Sequence, residues 1–311
     1  MFTLSSYAPT DTAQWDAVVG HSRNGNFLHR RAYMDYHADR YTDGSLVVKR
    51  NEEAVAVFPV SVKQKVATSH GGLSYAGLIA TRAMRAEWTM EVFERIGEHY
   101  RAHGVERIIY KAVPHVFHAY PAEEDLYALH RLGARLMRRD VASVIALREP
   151  FGFTEGRRRA VAKARKSAIR MHVGSDLADF HALLSEVLRS RHDVAPTHSL
   201  AELRLLQSRF PHQIVLHEAR DENGLLAAAL IYDFGRVVHT QYLAASERGR
   251  ECNALNLLLA ELIERIYADR HYFSFGISTE QEGRVLNGGL IAQKEYFGAR
   301  AVVHDFYEWM L

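Results

Sequence analysis

The stretch from Val237 to Leu259 holds the residue types best suited to chemistry. Its first part, Val237 to Ala245, is rich in β-forming residues and predicts a strand, and from Ala254 apolar residues recur at helical spacing. The segment SERGRECN, which is charged and contains one glycine, is predicted to be a loop between them. A tight strand-to-helix connection leaves backbone N–H groups that favour phosphate, so we predict an anion site, although a plain β–α connection has the same pattern. Its residues would be Arg248, Gly249, Arg250, Asn253 (the helix N-cap) and Ala254.

Two titratable residues near this stretch are candidate general bases. On the predicted strand, Val237, His239, Gln241 and Leu243 share one face, so His239 and Gln241 are expected to line a cleft. A histidine titrates near neutral pH, which suits a base, but in a chain with 18 histidines it can equally be satisfied inside the sheet. Glu280 lies just beyond the predicted strand Tyr272 to Ile277, and strand ends border the ligand crevice of open sheets. Glu280 is therefore a second candidate base or, alternatively, a solvated loop acid.

The segment RRRAVAKARKSAIR, from Arg157 to Arg170, has the most informative charge pattern. On one continuous helix Arg159, Lys163, Lys166 and Arg170 would form a single stripe, and the segment contains no acidic residue. We predict that this stripe binds an anion. The ligand could be a nucleotide-sugar diphosphate, a lipid-linked diphosphate or the acceptor end of a tRNA. Aromatic residues do not alternate with the cations, which argues against stacking on single-stranded bases.

The composition is that of a globular protein. The chain has 311 residues, which predicts about two domains, with 48% hydrophobic and 24% charged residues. A net charge of +2 argues against bulk nucleic-acid binding, and DNA is not an expected partner. The single cysteine, Cys252, excludes an intrachain disulfide and fits a reducing compartment. We find neither a signal peptide nor an apolar run near the roughly 20 residues of a membrane span, so we expect a cytoplasmic protein.

The predicted elements occur twice in the same order. Each half reads as helices, an antiparallel meander, a helix, one strand and then closing strands, and the halves meet near residues 148–156. We therefore expect two domains, 1–150 and 151–311. In the second half, Ser199 and Glu202 have the spacing of a capping box, and Ser278 to Gly289 reads as a glycine-rich loop.

Several segments together resemble a known family. They are TSHGGLSYAGL, IYKAVPHVFHAYPAEEDLYAL, HTQYLAAS, FSFGISTE and LNGGLIAQKEYFGARAVVHDFYE. With the element order, they make the chain similar to the FemAB-like subgroup of the GNAT acyltransferase superfamily. The resemblance implies an α/β (α+β) fold of two tandem GNAT-like domains, each a mixed, mostly antiparallel sheet flanked by helices. It also implies that Val237 to Leu259 holds the pyrophosphate of an acyl-coenzyme A, that the second domain has the more complete donor-binding loop, and that the first shapes an acceptor cleft.

The resemblance also implies roles for individual residues. Catalysis would use His239 or Glu280 as the base, with Tyr296 protonating a leaving thiolate. The donor would be bound by Gln241, Arg248, Gly249, Arg250, Asn253, Ala254 and Asn287. The acceptor would be bound by His70, Lys111, His115, Arg159, Lys163, Lys166, Arg170 and Lys294.

The expected function is that of an N-acyltransferase of cell-envelope or polysaccharide biosynthesis. Acetyl-CoA or another acyl-CoA would be the donor, without a metal, and the acceptor would be a lipid-linked or nucleotide-linked amine, above all a nucleotide-linked amino sugar. One alternative is an aminoacyl-tRNA donor, which the basic stripe favours. The segment ERGRECNA favours it too, because it has one glycine where the usual coenzyme A pattern Q/R-x-x-G-x-G/A has more. A second alternative is a non-catalytic scaffold in a polysaccharide assembly complex.

Overall fold

The computed structural model describes residues 1–311, with the side chains of all except residues 191 and 192. The chain forms two compact units. The first unit comprises Met1–Val141, Thr279–Val285 and Val302–Leu311, and the second comprises Ala142–Ser278 and Leu286–Ala301. The first unit thus ends at Val141 rather than at 150, and it takes in two segments from the C-terminal part of the chain. None of the helices in the described chain is long and apolar enough to cross a membrane.

The N-terminal part of the chain alternates short strands with helices. Its strands and α-helices are β1 (Phe2–Ser6), α1 (Thr12–His21), α2 (Arg31–Met34), β2 (Thr42–Asp43), β3 (Leu46–Arg50), β4 (Glu53–Phe58), β5 (Ser61–Lys63), β6 (Val66–Thr68), β7 (Ile79–Ala80), α3 (Ala86–Ala102), β8 (Arg107–Lys111), α4 (Glu124–Arg131) and β9 (Arg135–Ala146). Short 3-10 helices lie at Pro9–Asp11, Phe27–His29, Asp35–His37 and His115–Phe117.

The C-terminal part has longer strands around one buried helix. Its elements are α5 (Glu155–Ala164), β10 (Arg170–Gly174), α6 (Ala178–His192), α7 (Leu200–Arg209), β11 (Ile214–Asp221), β12 (Gly224–Asp233), β13 (Val237–Ala245), α8 (Glu247–Glu251), α9 (Ala254–Glu261), β14 (Tyr272–Ile277), β15 (Thr279–Glu280), β16 (Val285–Leu286), α10 (Gly288–Glu295) and β17 (Arg300–Met310). A π-helical turn, Leu262–Ile266, extends α9.

The first unit builds its core between a long amphipathic helix and two sets of strands. One set has the order β1-β3-β4-β7, and the other has β17-β8-β6-β5-β2. Helix α3 places Val92, Phe93 and Ile96 on its buried face, where they join Tyr110 and Trp309 in one apolar cluster. Strands β6 and β8 are parallel, with α3 between them in the sequence. This strand–helix–strand unit is the skeleton of the first unit.

The second unit repeats that plan with longer strands in the order β10-β11-β12-β13-β14. Successive strands from β10 to β13 are antiparallel, whereas β13 and β14 are parallel. Helix α9 lies on the sheet and buries Leu257, Leu258 and Leu259. Burying a leucine side chain contributes roughly 1.5–3 kcal/mol, so this helix anchors the strand-to-helix connection on which the site depends.

The structure confirms the predicted fold class and several boundaries. Strands β13 and β14 have the predicted bounds, and the capping box at α7 is present, because Ser199 accepts a hydrogen bond from the Glu202 amide while the Glu202 carboxylate accepts one from the Ser199 amide. The predicted loop SERGRECN is wrong, since most of it is the short helix α8. The predicted glycine-rich loop from Ser278 to Gly289 ends earlier than expected, because Gly288 to Glu295 forms α10.

The predicted helix from Arg157 to Arg170 is wrong in its second half. Helix α5 ends at Ala164, and Arg170 begins the edge strand β10, which pairs with β11. The helix stops because the residues after Ala164 have the alternating pattern of a strand. Ile169 and Met171 alternate with charged residues and pack against the apolar core, which is strand spacing. Pairing the exposed edge of β11 outweighs the local helical preference.

Candidate functional site

The centre of the second unit is the place where two parallel strands part. Val237 to His239 pair with Tyr272 to Ser274, and the parallel register ends at the pair His239–Ser274. Strand β13 nevertheless continues to Ala245 and β14 to Ile277. We call this opening the second-unit fork. Backbone N–H and C=O groups of β13 beyond the fork no longer face a paired strand on that side, so they are available to a ligand inserted there.

His239 lies at the second-unit fork and is held by its neighbours on β14. Its Nδ1 is 3.1 Å from the Oγ of Ser274, a residue that is almost fully buried. Gly276 has a left-handed φ of 73°, and a Cβ atom at this position would lie 3.1 Å from Cε1 of His239. A glycine therefore leaves room for the imidazole, and the Ser274 hydroxyl fixes the orientation of the ring. The predicted role of His239 in lining a cleft stays a prediction.

A β-bulge follows immediately on β13. Leu230 pairs with Tyr242 while Ile231 pairs with Thr240, so Gln241 is the extra residue. A bulge changes which face the following side chains occupy. Leu243 accordingly packs against the same apolar core as Val238, so the prediction that Leu243 shares a face with His239 is wrong. The sequence gives no signal for this extra residue.

The connection after β13 does not present the free loop that was predicted. The Ser246 hydroxyl caps α8 by accepting the Gly249 amide at 3.1 Å. A Cβ atom on Gly249 would lie 1.9 Å from the Leu226 carbonyl oxygen, so this glycine permits close packing on β12 rather than approach to a phosphate. Arg248 forms an ion pair with Asp221, and Arg250 donates to the Ala245 carbonyl at 3.0 Å. Both arginines are thus anchored at the strand end.

Asn253 and Ala254 begin α9 as predicted, but by another geometry. Asn253 has a left-handed φ of 60°, and its side chain accepts from Asn256 at 3.0 Å instead of capping a backbone amide. Ala254 is fully buried. The amides of the first turn of α9 have no acceptor within the helix, as at every helix start. These amides at the start of α9 can favour an anion.

Helix α10 brings a buried lysine to β14. Lys294 Nζ donates to the Gly276 and Ile277 carbonyls at 2.9 and 2.7 Å and to Ser278 Oγ at 2.7 Å. Burial lowers its pKa to about 8, so the ammonium persists at neutral pH. All three ammonium protons are donated to the end of β14 and Ser278, which corrects the prediction that Lys294 binds the acceptor. Asn287 caps this helix by accepting the Leu290 amide at 2.9 Å.

Arg157 was not predicted as a site residue, yet it ties α10 to α5 and α9. Its guanidinium lies 4.3 Å from the ring centroid of Phe297, donates to the Asn256 side chain and reaches the Gln293 carbonyl. Burial lowers its pKa. Tyr296, the predicted acid, is about half exposed beside it, with 5.8 Å between the guanidinium and the ring centroid. Sequence alone could not separate Arg157 from the arginines that follow it.

The predicted basic stripe is divided. Arg159 and Lys163 lie one turn apart on α5, but Lys166 follows the end of this helix and Arg170 belongs to β10. Arg159 also forms an ion pair with Glu155. Because the helix stops, the four cations do not form the continuous anion-binding surface that the spacing predicted.

The predicted residues of the first unit fall into two groups. His70 and Lys111 are buried within it, and burial lowers the pKa of His70 to about 3 and that of Lys111 to about 7. Lys111 donates to the Leu73 carbonyl. His115 and Glu280 are exposed. The buried pair therefore does not line an open acceptor cleft, which corrects that prediction.

An open cavity of about 590 Å³ lies between α6 and α7 in the second unit. We call it the α6–α7 cavity. Its lining includes His181, Arg189, Asp193, Thr197, His198 and Glu202. Among the described side chains, no group of three or more His, Cys, Asp or Glu residues is arranged to hold a metal ion.

Comparison with known proteins agrees with this architecture. Residues 154–283 match the model of the acetyltransferase (GNAT) domain. The crystal structure of FemX superposes with a TM-score of 0.71 at 12% identity, covering 99% of this chain and 97% of FemX. L-PGS from Bacillus licheniformis gives 0.62 at 12% identity, covering 95% of this chain and 90% of that one. No curated protein matches the sequence.

A third structure contains the same tandem arrangement. The tandem GNAT protein from the clavulanic acid biosynthesis pathway gives a TM-score of 0.55 at 11% identity, covering 99% of this chain and 98% of that one. The fork, the bulge and the strand-to-helix connection all lie within the matched GNAT domain. The protein is an acyltransferase. It carries a GNAT acetyltransferase domain at residues 154–283, and its fold is similar to that of FemX.

Proposed function

We propose that the second unit transfers an acyl group from an acyl-coenzyme A to a primary amine. The observation that carries this proposal is the second-unit fork, where His239 stands between two parting parallel strands. Transfer to an amine needs a base for the amine proton and donors for the oxyanion. His239, oriented by Ser274 at 3.1 Å, supplies the base. Backbone N–H groups of β13 beyond the fork supply the oxyanion donors.

The donor would lie along the fork with its pyrophosphate at the start of α9. The first-turn amides of α9 favour an anion, and Arg248 and Arg250 flank the preceding strand end. Gln241 borders the fork at the bulge, Asn253 and Ala254 shape the helix start, and Asn287 begins α10. Gly249 contributes indirectly, because it lets α8 pack on β12.

Proton movement would run through one histidine. His239 takes a proton from the attacking amine and returns it to the departing thiolate, with Tyr296 as a second donor for that thiolate. Glu280, the other base predicted from the sequence, belongs to the first unit, whereas His239 is part of the fork itself. We therefore assign the base to His239.

The proposal also names the class of acceptor substrate. We propose an amino group of a cell-envelope precursor, above all a nucleotide-linked amino sugar, with the reaction in the cytoplasm. One similar fold supports an envelope role by its name, the C-terminal domain of a putative lysylphosphatidylglycerol synthetase from Agrobacterium fabrum. The single cysteine, Cys252, fits a reducing compartment.

An aminoacyl-tRNA donor is the second candidate. It is favoured by the exposed cations Arg159 and Lys163 of α5 and by Lys166 just beyond this helix. Binding of tRNA would release counterions, so its affinity would fall steeply as salt is added, whereas a small donor would be far less sensitive.

The deciding experiment is a thermal shift with coenzyme A and acetyl-CoA over a concentration series. A ligand at 100 times its Kd stabilises the fold by about 2.7 kcal/mol, which is readily measured. We expect a saturable shift that Arg248→Ala combined with Arg250→Ala weakens, because both arginines flank the proposed pyrophosphate site. Arg265→Ala is the control, since Arg265 is an exposed arginine on the π-helical turn and pairs with Glu261.

The absence of a shift with folded protein would overturn the acyl-CoA proposal. Binding of an aminoacyl-tRNA with a steep salt dependence, weakened by Lys163→Ala with Lys166→Ala, would then establish the second candidate. If neither donor binds and His239→Ala leaves function intact in cells, the scaffold alternative stands.

A further inference from the structure

The start of α9 has an unusual cap. The residue before a helix usually has an extended backbone, and an asparagine there uses its side-chain oxygen to accept an amide of the first turn. Asn253 instead has a left-handed backbone, with φ 60° and ψ 31°, and its side chain makes no bond to those amides. Its Oδ1 accepts a hydrogen bond from Nδ2 of Asn256 at 3.0 Å. The oxygen that would cap the helix is therefore engaged elsewhere.

The orientation of the Asn256 side chain is determined by Arg157 on α5. A guanidinium only donates hydrogen bonds, so the group that it meets must present an acceptor. Arg157 Nη1 donates to Oδ1 of Asn256. The amide nitrogen of Asn256 is thus on the other branch of the side chain, where it donates to Asn253. We call this directed chain of two hydrogen bonds the Arg157–Asn256–Asn253 relay.

Arg157 is itself held in place by α10 and the residues after it. Its guanidinium lies 4.3 Å from the ring centroid of Phe297, and its Nη2 donates to the Gln293 carbonyl at 3.3 Å. The Nε atom is buried and has no hydrogen-bond partner among the described side chains. These contacts are with amide groups and an aromatic ring, which carry no charge. The half-buried cation therefore adds positive potential beside the first turn of α9.

We propose that Arg157, acting through Asn256, keeps the side chain of Asn253 off the first turn of α9, so that the backbone amides there bind a diphosphate group. This inference rests on the proposed function, which places the pyrophosphate of the acyl donor at this helix start. It adds a positioning residue on α5, outside the strand-to-helix connection.

The relay matters because a side-chain cap and an anion use the same donors. A capping asparagine accepts the amide of the second or third helical residue, here Leu255 or Asn256. An anion at a helix start also binds these first-turn amides. If the relay is broken, the Asn253 oxygen is released to cap the helix and competes with the anion. Anion binding then weakens while the helix stays folded.

The binding step is tested by isothermal titration of the full-length protein with coenzyme A and with inorganic pyrophosphate. Arg157→Met and Asn256→Ala each break one bond of the relay. We expect each to raise Kd on the order of 10-fold, the usual scale of a side-chain cap. Arg158→Met is the control, because Arg158 carries the same charge on the same turn but donates to the Phe153 carbonyl at 2.9 Å. An equal loss in Arg158→Met would show that charge alone matters and would overturn the relay.

A second comparison separates the relay from a direct contact between Arg157 and the anion. Glycine adopts a left-handed φ readily and has no side-chain oxygen that could cap the helix. In an Asn253→Gly background, Arg157→Met and Asn256→Ala should therefore change Kd by less than about twofold relative to that background. A loss on the order of 10-fold that persists there would mean that Arg157 does not act through Asn253, and it would overturn the proposal.

The conformational step is tested without any ligand, by amide hydrogen exchange measured with NMR. In Arg157→Met the amide of Leu255 or Asn256 should exchange on the order of 5-fold more slowly than in the wild type, because the released Asn253 side chain caps it. The same substitution in the Asn253→Gly background should not slow exchange. Unchanged exchange in Arg157→Met would overturn the proposal even if coenzyme A binds.

The two probes separate this proposal from the proposed function. If coenzyme A binds but its Kd does not depend on the relay, the positioning role fails and the donor assignment stands. If pyrophosphate binds with the expected dependence but coenzyme A does not, the donor assignment fails and the relay stands. Binding of neither probe would show that this helix start holds no diphosphate and would overturn both.

Discussion

In both units two parallel strands pair at three positions and then separate. In the first unit β6 pairs with β8 from Val66–Arg107 to Thr68–Ile109, and in the second β13 pairs with β14 from Val237–Tyr272 to His239–Ser274. The last pair is threonine with isoleucine in the first unit and histidine with serine in the second. Of the two forks, the second-unit fork is therefore the one that ends in a pair with a titratable side chain, the imidazole of His239.

The first unit also closes its fork with its own chain. The Ser69 amide donates to the Ile109 carbonyl at 2.8 Å, and Ser69 Oγ accepts the Lys111 amide at 2.6 Å. The Ala76 amide donates to the Lys111 carbonyl at 3.1 Å. The segment from Ser69 to Ala76 thus takes the hydrogen bonds that a ligand would otherwise make. The same skeleton is filled by its own chain in the first unit and forms the proposed site in the second.

The largest expected difference between the units is their response to acid. In the first unit burial lowers the pKa of His29 and His304 to about 4 and that of His70 to about 3, whereas in the second it lowers the pKa of His217 to about 4. A folded-state pKa below the unfolded value of about 6.5 contributes stability above pH 6.5, which is lost as pH falls. The loss is about 3 kcal/mol for each histidine lowered to about 4.

Hydrogen exchange of the full-length protein between pH 7 and pH 4 would measure this difference. After correction for intrinsic rates, amides around Val92 to Tyr100 in α3 should lose protection at a higher pH than those of Leu257 to Leu259 in α9. Replacement of an exposed histidine, His130→Gln, should leave both profiles unchanged. Earlier loss in α9 would show that buried histidines do not govern the acid stability of the first unit.

The next largest effect concerns the two fork residues. His239→Gln should lower kcat on the order of 100- to 1000-fold, because glutamine fills the space but cannot accept a proton. Thr68→Val, at the corresponding register position of the first unit, should leave kcat within twofold. Steady-state kinetics of the two variants is the measurement. Equal losses, or a normal rate for His239→Gln, would remove the functional distinction between the forks.

The smallest expected effect is a change in stability when a methyl group is added at a tightly packed glycine. Gly249→Ala should destabilise the second unit by about 3 kcal/mol, because the added Cβ meets the rigid Leu226 carbonyl. Gly156→Ala on α5 meets no atom within 4 Å and should stabilise the protein by about 0.5–1 kcal/mol through helix propensity. Chemical denaturation would measure both. A neutral Gly249→Ala would mean that α8 can move off β12 at little cost.

Much of the secondary structure follows from local sequence patterns. The β-rich run that became β13, the apolar spacing of α9 and the Ser199 capping box each depend on residues close in sequence, and each is predicted correctly. The prediction of one helix from Arg157 to Arg170 is wrong in its second half, because residues there fit both helical and strand periodicity. Ile169 and Met171 pack as alternate residues of an edge strand, and only the partner strand decides between the two patterns.

The sequence by itself determined the strand–helix order, the single cysteine and the presence of His239 on a central strand. Only the tertiary structure decided that Gln241 is a bulge, that Ser274 holds His239, and that Gly249 packs on Leu226. It also decided that Lys111 and Lys294 are internal rather than ligand-facing. The reason is physical: propensity and periodicity act over a few neighbouring residues, whereas register, bulges and burial depend on partners that are distant in the chain.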